Sequence, residues 1–326
     1  MLKKLPLSDF TWLTQFEISN LDLQNFDVEG DISMILEVDL AYPAHLHDKH
    51  RNFPLCPEKL SIDRSMLSSE MIKFLDENNL SFNKQERLTQ NFLPKSNYVV
   101  HIKNLIYYLA QGMKLEKIHR GVKFCQSAWM KPYIQVNTEL RKNAVSKFEK
   151  DLFKLMINSI FGKTCENPRR YKSLKLIRCD RVARREINKE EFQSFTIINP
   201  DLVVAELKKT VIKLNKPIYA GMSILDLSKL HMYHFHYGVM EQRFPDKLQL
   251  IFSDTDSLCY SIKKSDITED LRELSVFLDF SNYPTDHPLF SSDNAHPGRL
   301  VQFSLTNPTN CVTNNSTITK TMNYMI

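Results

Sequence analysis

The sequence predicts an α+β fold, and three stretches carry that expectation. Leu248–Ile262 (LQLIFSDTDSLCYSI) sets β-branched, aromatic and aliphatic residues on either side of a polar centre. That is the pattern of two short strands joined by a turn, here Ser253-Asp254-Thr255-Asp256. Met34–Pro43 reads as a buried strand, a run of large apolar residues interrupted by Glu37 and Asp39 and stopped by a proline. Thr138–Phe161 reads as a helical region about six turns long with room for one break, framed by Thr138 at an N-cap position and Gly162 at its end.

Composition bounds the rest. With 42% hydrophobic residues in 326 and only 7 glycines, the chain can build a substantial core in two or three compact units without low-complexity linkers. The cysteines at 56, 125, 165, 179, 259 and 311 form no Cys-x-x-Cys pair, which fits a reduced intracellular protein without a zinc ribbon. The N-terminus MLKKLPLSDFTWL lacks the apolar core of a signal peptide, and no stretch approaches the ~20 apolar residues a membrane span needs. A soluble, intracellular protein with no membrane partner is expected. The net charge of +5 is unevenly spread: Lys163–Arg185 holds nine Lys or Arg against two acids, which suggests a polyanion partner or else a solvated basic face.

In chain order, residues 1–30 alternate apolar and polar without strong caps and read as the end of an upstream region. In 31–53, a carboxylate at the end of a buried strand is expensive unless paired or metal-bound, so Asp39 is a candidate third ligand beside Asp254 and Asp256. Two aspartates one residue apart at a hairpin tip repel by about 1 kcal/mol in water at ~4 Å and about 4 kcal/mol at a protein surface. A divalent cation removes that cost, and hard oxygen ligands beside phosphates are the usual setting for Mg²⁺; the plain alternative is an ordinary Asp-Ser turn. His45, His47 and His50, like His231, His234 and His236, read as surface histidines. Residues 54–137 read as a helical insertion, with helices at Met66–Asn78 and Tyr98–Gly112 and with Trp129 and Tyr133 in a core.

In 138–162, Lys147, Lys150, Lys154 and Asn158 fall on one helix face, with Lys142 eight residues before Lys150. Such a row can grip a triphosphate, with Ser159 and Gly162 near the base or sugar, or it is the solvated face of an amphipathic helix. Residues 163–215 form a basic insertion in which Arg169, Arg170, Lys172 and Lys175 are candidate phosphate contacts and Thr210-Val211-Ile212 is strand-like. In 216–290, Lys216–Gly221 reads as a strand end with a turn, and Asp226–Met240 as a helix leading into the hairpin. The Asn-, Thr- and Ser-rich segment 291–326 reads as a divergent tail, expected to be disordered.

Lys154-x-x-x-Asn158-Ser159-x-Phe161-Gly162 followed by Asp254-Thr255-Asp256-Ser257 resembles motifs B and C of family B DNA polymerases. Glu37-Val-Asp-Leu-Ala-Tyr-Pro43, Leu46-His-Asp48 and Ser281-Asn-Tyr-Pro284 are similar to the protein-primed polymerases of Polinton/Maverick transposons and related viruses. The resemblance spans about residues 31–290. It implies a right-hand architecture: an antiparallel-sheet palm (31–53 and 216–290) and helical fingers (138–162), with no counterpart of the thumb or the exonuclease domain. It implies Asp39 and Asp256 as metal ligands with Asp254 beside them, Tyr42 under the incoming sugar, Lys154 on the triphosphate, and Asn158 and Gly162 completing motif B. It further implies two Mg²⁺ ions, with Mn²⁺ an alternative, and as partners template and primer DNA, deoxynucleoside triphosphates and a terminal priming protein that 54–137 could contact. The nucleus is one compartment open to such an enzyme. Aligned on Tyr42-Pro43, Glu37 takes the place of the motif A aspartate, so both carboxylates remain candidates.

Two other readings compete. An Asp-x-Asp metal site also serves nucleotide-sugar glycosyltransferases, which leaves the lysine row unexplained. A polymerase remnant that binds DNA without extending it is the non-catalytic alternative, and poor extension by these 326 residues is the expectation.

Overall fold

The computed structural model describes residues 1–82, 84–254, 257–264, 266–280, 283–291, 301–305 and 318–324, the last two stretches and Asp279 by backbone alone. The chain divides into two compact units, one of Met1–Pro6 with Ala128–Ile224 and the other of Leu7–Ser127 with Leu225–Ile326. Helices and mainly antiparallel sheets alternate through both, an α+β architecture. Among the described residues no helix is long and apolar enough to cross a membrane.

The larger unit opens with β1 (Leu5–Trp12), which begins in the other unit, and a short α1 (Gln15–Ser19). β2 (Ile32–Ala41) then alternates cleanly: Leu36, Val38 and Leu40 are fully buried while Glu37 and Asp39 point to the opposite face. The hairpin of β3 (Glu58–Ser61) and β4 (Glu86–Thr89) encloses α2 (Ser69–Glu77). β5 (Lys95–His101), α3 (Ile102–Ala110) and β6 (Lys114–Ser127) follow, and a four-stranded sheet forms in the order β1-β6-β2-β5. Residues 54–137 are therefore not mainly helical: strands and helices share the segment. The helix expected from Tyr98 starts only at Ile102, because Val99 and Val100 pair with Glu37 and Leu36 and His101 caps the helix through Nδ1, which accepts from the Lys103 amide at 3.2 Å.

Gly121 of β6 is a packing necessity. A Cβ there would lie 2.5 Å from Leu36 Cδ2 and 2.7 Å from Leu13 Cδ1. Gly121→Ala is expected to lower stability by about 1–3 kcal/mol, the usual cost of overpacking, as measured by urea denaturation.

In the smaller unit, the helical region expected at 138–162 takes the one break the sequence allowed and starts earlier, at Lys131, giving two helices, α4 (Lys131–Asn143) and α5 (Lys147–Thr164). The break has a local cause: Ser146 Oγ accepts from the Glu149 amide at 3.2 Å while the Ser146 amide donates to Glu149 Oε2 at 3.1 Å, a capping box that starts a new helix. Thr138 lies inside α4, its hydroxyl donating to Ile134 O at 2.7 Å, and Gly162 lies inside α5. Trp129 and Tyr133, expected in a core, are exposed. Beyond them β7 (Lys172–Ile177), α6 (Asp180–Ile187), β8 (Phe192–Asn199) and β9 (Leu202–Lys208) build a three-stranded sheet in the order β7-β9-β8. Thr210–Ile212 is not strand, since β9 ends at Lys208; nor is Lys216–Gly221, where α7 (Ile218–Phe235) begins.

α7 runs across the division between the units, and its extension is a π-helical turn, His236–Met240, followed by α8 (Glu241–Arg243). A π turn shifts the side-chain register within a helix. Its first residue, His236, is buried, with its ring stacked on Tyr260 (5.7 Å between centroids, 6° between planes) and its Nδ1 3.0 Å from the Tyr260 hydroxyl. His50 is buried as well, so two of the six histidines expected at the surface belong to the core.

β10 (Leu248–Asp254) and β11 (Ser257–Ile262) pair antiparallel from Leu248↔Ile262 to Asp254↔Ser257. After α9 (Thr268–Glu273) and β12 (Leu278–Asp279), β13 (Val301–Leu305) and β14 (Ile318–Tyr324) complete a sheet ordered β10-β11-β14-β13-β12. The segment expected as a disordered tail thus supplies two strands. β14 pairs along all of β11, and its Ile318, Thr319 and Thr321 are β-branched residues suited to a strand once a partner edge is present. One core joins the elements of the larger unit, with Leu36, Val38 and Leu40 of β2, Leu105 and Tyr108 of α3, Tyr233 and Phe235 of α7, and Leu258 and Tyr260 of β11.

Candidate active site

The non-core face of β2 presents two carboxylates, each met by a basic side chain from β6. Asp39 Oδ1 accepts from the backbone amide of Asn97 at 2.8 Å, and Nε2 of His119 lies 2.8 Å from Oδ2. Asn97 adopts φ +52°, a left-handed conformation that asparagine tolerates better than most residues. The Asn97 amide first, and His119 second, hold the Asp39 carboxyl below its usual range. Glu37 faces Arg120 directly in the β2–β6 register, and their side chains form an ion pair. The pairing of β2 slips at Glu37/Val38 and at Asp39/Leu40, so irregular backbone brackets Asp39. Asn97, His119 and Arg120 could not be picked out from the sequence; the irregularly spaced cations of β6 acquire meaning only once its slipped register against β2 is known.

Asp254 is the last residue of β10 and is exposed, with Ser257 as its cross-strand partner. Thr255 and Asp256 lie outside the described residues. Among the described residues no group of three or more His, Cys, Asp or Glu is placed to hold a cation. β2 and β10 belong to different sheets, so strand pairing does not bring Asp39 to Asp254. The donor chemistry nevertheless suits a hard cation, since Glu37, Asp39, Asp254 and Asp256 all offer carboxylate oxygens. Tyr42 is buried: its hydroxyl accepts from the Leu55 amide at 3.2 Å and lies 2.7 Å from His50 Nδ1, and burial pushes its phenol pKa up.

On α5, Lys147, Lys150, Lys154 and Asn158 are all exposed, and a Cβ on Gly162 would meet nothing within 4 Å. Lys142 belongs to α4. The eight-residue spacing that aligned it with Lys150 crosses the break at Ser146, so the two do not share a helix face. Phe148 and Leu155 are exposed as well. In the basic segment Arg169 and Arg170 are exposed in a 3-10 turn whose Pro168 is buried, Lys175 is exposed on β7, and Lys172 pairs with Glu206 at 2.6 Å. α6 adds the exposed Arg181, Arg184 and Arg185; Arg185 and Lys189 flank the buried Glu186 at 3.1 and 2.7 Å.

A comparison with curated proteins finds no match. Among solved structures the chain is similar to Phi29 DNA polymerase in an orthorhombic crystal form, with a TM-score of 0.44 at 14% identity over 85% of this chain and 38% of that one. It is also similar to Phi29 DNA polymerase in a ternary complex with primer-template DNA and incoming nucleotide substrates, with a TM-score of 0.45 at 15% identity over the same shares. The chain thus spans well under half the length of these structures. Residues 16–238 match the family described as DNA polymerase type B, organellar and viral, a span that takes in β2 and α5 and stops short of β10.

Proposed function

We propose that this chain, which belongs to the organellar and viral type B DNA polymerases, adds deoxynucleotides to a primer on a DNA template. The observation that carries the reading is that the family-matched span holds both the carboxylate face of β2 and the exposed lysine row of α5. We assign Asp254 and Asp256, with Asp39 or Glu37, to two Mg²⁺ ions, Mn²⁺ serving as an alternative. Held by these carboxylates, such ions would supply Lewis acidity at the primer hydroxyl and charge neutralisation at the leaving pyrophosphate. Lys154 and Lys150 neutralise the triphosphate; Asn158 and the open backbone at Gly162 leave room for base and sugar; Tyr42 shapes the floor under the sugar. Arg169, Arg170, Lys172 and Lys175 hold DNA phosphates. The wording of the β2 segment supports a protein-primed enzyme of a Polinton/Maverick element or related virus, with residues 54–137 contacting the priming protein and the nucleus among the compartments where it works.

One observation favours the second reading, DNA binding without extension: Glu37 and Asp39 each already have a basic neighbour, which competes with a cation. Primer extension with Mg²⁺ decides. Extension that Asp256→Ala reduces to background, with DNA binding retained, supports the polymerase; binding without extension by the unsubstituted chain supports the remnant. Glu37→Gln and Asp39→Asn, assayed side by side, identify the third ligand as the one whose loss removes extension.

A further inference from the structure

β6 is the most basic strand of the larger unit. Within ten positions it carries Lys114, Lys117, His119, Arg120 and Lys123 against Glu116 alone, and Lys114, Lys117 and Arg120 are exposed. Its neighbour in the sheet is β1, which ends in Trp12. Indole is among the most favourable side chains to bury, yet Trp12 is 66% exposed, and Phe16 just beyond it is 78% exposed. The Arg120 guanidinium lies 5.7 Å from the centre of the Trp12 ring while also pairing with Glu37. One cation therefore links an open aromatic surface to the carboxylate face of β2.

Aromatic side chains bordered by cations fit single-stranded nucleic acid. Each base has an apolar face that stacks on an aromatic ring whatever its identity, and the phosphates follow the positive charge. Trp12, Phe16 and Arg120 would also suit a protein interface, but the exposed Lys114 and Lys117 in line with Arg120 do not, since lysine is depleted at such interfaces, whereas a phosphate backbone complements all three cations. We propose that Trp12 is a stacking platform for an unpaired base of a nucleic-acid strand whose phosphates run along Lys114, Lys117 and Arg120 of β6. This rests on the polymerase reading only in placing the strand beside Glu37; the binding surface itself stands on β1 and β6. A phosphate that draws Arg120 away from Glu37 also frees that carboxylate, which couples strand binding to the site on β2.

The chain has two tryptophans, so the test is direct. In a Trp129→Phe background, Trp12 is the sole indole, and titration with oligo-dT is expected to quench its fluorescence saturably, with an affinity that falls as salt rises. Trp12→Ala is expected to weaken oligo-dT binding about tenfold, measured by anisotropy of a labelled oligonucleotide, and Trp12→Phe to keep most of it. Lys117→Gln is expected to weaken binding and reduce its salt dependence, and thermal melting confirms that each variant is folded. Oligo-dT that binds by anisotropy without quenching Trp12, or equal affinity in Trp12→Ala, overturns the proposal. So does a dimer that dissociates on Trp12→Ala without any quenching by oligo-dT, which would make this face a self-association surface. The reading beneath fails separately: absent primer extension with Trp12 quenching intact removes the polymerase and leaves the binding surface.

Discussion

Stability should fall steeply as the pH drops from 6.5 towards 4, well before most carboxylates titrate. Burial, reinforced by Lys103, lowers the pKa of His101 to about 3, and its Nδ1 accepts the Lys103 amide hydrogen bond that caps α3, a bond that protonation destroys. His50 is lowered to about 4 by burial and then by the charge of Lys49, with His236 acting the same way and Glu241 opposing. For both rings the unfolded chain, with a pKa near 6.5, binds the proton more readily than the folded one. Their contribution is therefore complete above pH 6.5 and is lost as pH falls, at up to about 1.4 kcal/mol per pH unit for each ring. His50 accounts for at most about 3 kcal/mol by pH 4 and His101 for at most about 4 kcal/mol by pH 3, against a total of about 5–15 kcal/mol for a typical domain. Urea denaturation across this range measures the slope. His101→Asn keeps a capping acceptor and removes the titrating ring, so it should roughly halve the slope; an unchanged slope in that variant would show that His101 is not a source of the acid sensitivity.

Those two histidines also mark where the sequence stopped being informative. A histidine next to Lys49 in a polar run gives no sign that Tyr42, eight residues earlier, will meet its ring in a core. Local patterns with clear boundaries were legible. The apolar run of β2 stopped by Pro43 and the paired apolar flanks around Ser253–Asp256 placed their strands, because short β-branched and aromatic runs bounded by a proline or a polar turn carry their own limits. Where two local signals competed, the reading failed. Tyr98–Gly112 has helical spacing throughout, yet its first residues are claimed by pairing with β2, a contact about 60 residues away in sequence that no local window contains. The one break allowed in the helical region at 138–162 could have been placed, since Ser146-x-x-Glu149 is a capping box written in the sequence.

The candidate site divides in the same way. Its carboxylates and its lysine row are chemically conspicuous residues in short motifs, and they were named from the sequence. Their partners were not. Glu37 and Arg120 are 83 positions apart, and only the register of β6 on β2 brings them together. That pairing changes the chemistry expected of the site: a carboxylate strand that looked bare carries its own cations, and any metal or phosphate that binds must displace or recruit them.

Lys95→Met should cost about 3–5 kcal/mol of stability, the range for removing one partner of a buried ion pair. Lys95 opens β5, its side chain is 0% exposed, and its Nζ lies 2.5 Å from Glu58 Oε1 and also donates to Asn91 Oδ1. Asn91 Nδ2 in turn donates to the same Glu58 oxygen at 3.0 Å, so the three side chains close a polar triangle. Glu58 begins β3 and Asn91 follows β4, while Lys95 pairs with Leu40 of β2. The triangle therefore fixes the β3–β4 hairpin to the end of the strand that carries Asp39. Glu58 retains 27% exposure, so water reaches the abandoned carboxylate and the expected loss lies toward the lower end of the range. Removing both charges is different, because the desolvation of each disappears along with their attraction: Lys95→Met with Glu58→Gln should recover much of the loss. A double-mutant cycle in urea reads the coupling between the two positions. A single-variant loss below about 1 kcal/mol, or additive effects of the two substitutions, would mean that the triangle does not anchor the hairpin.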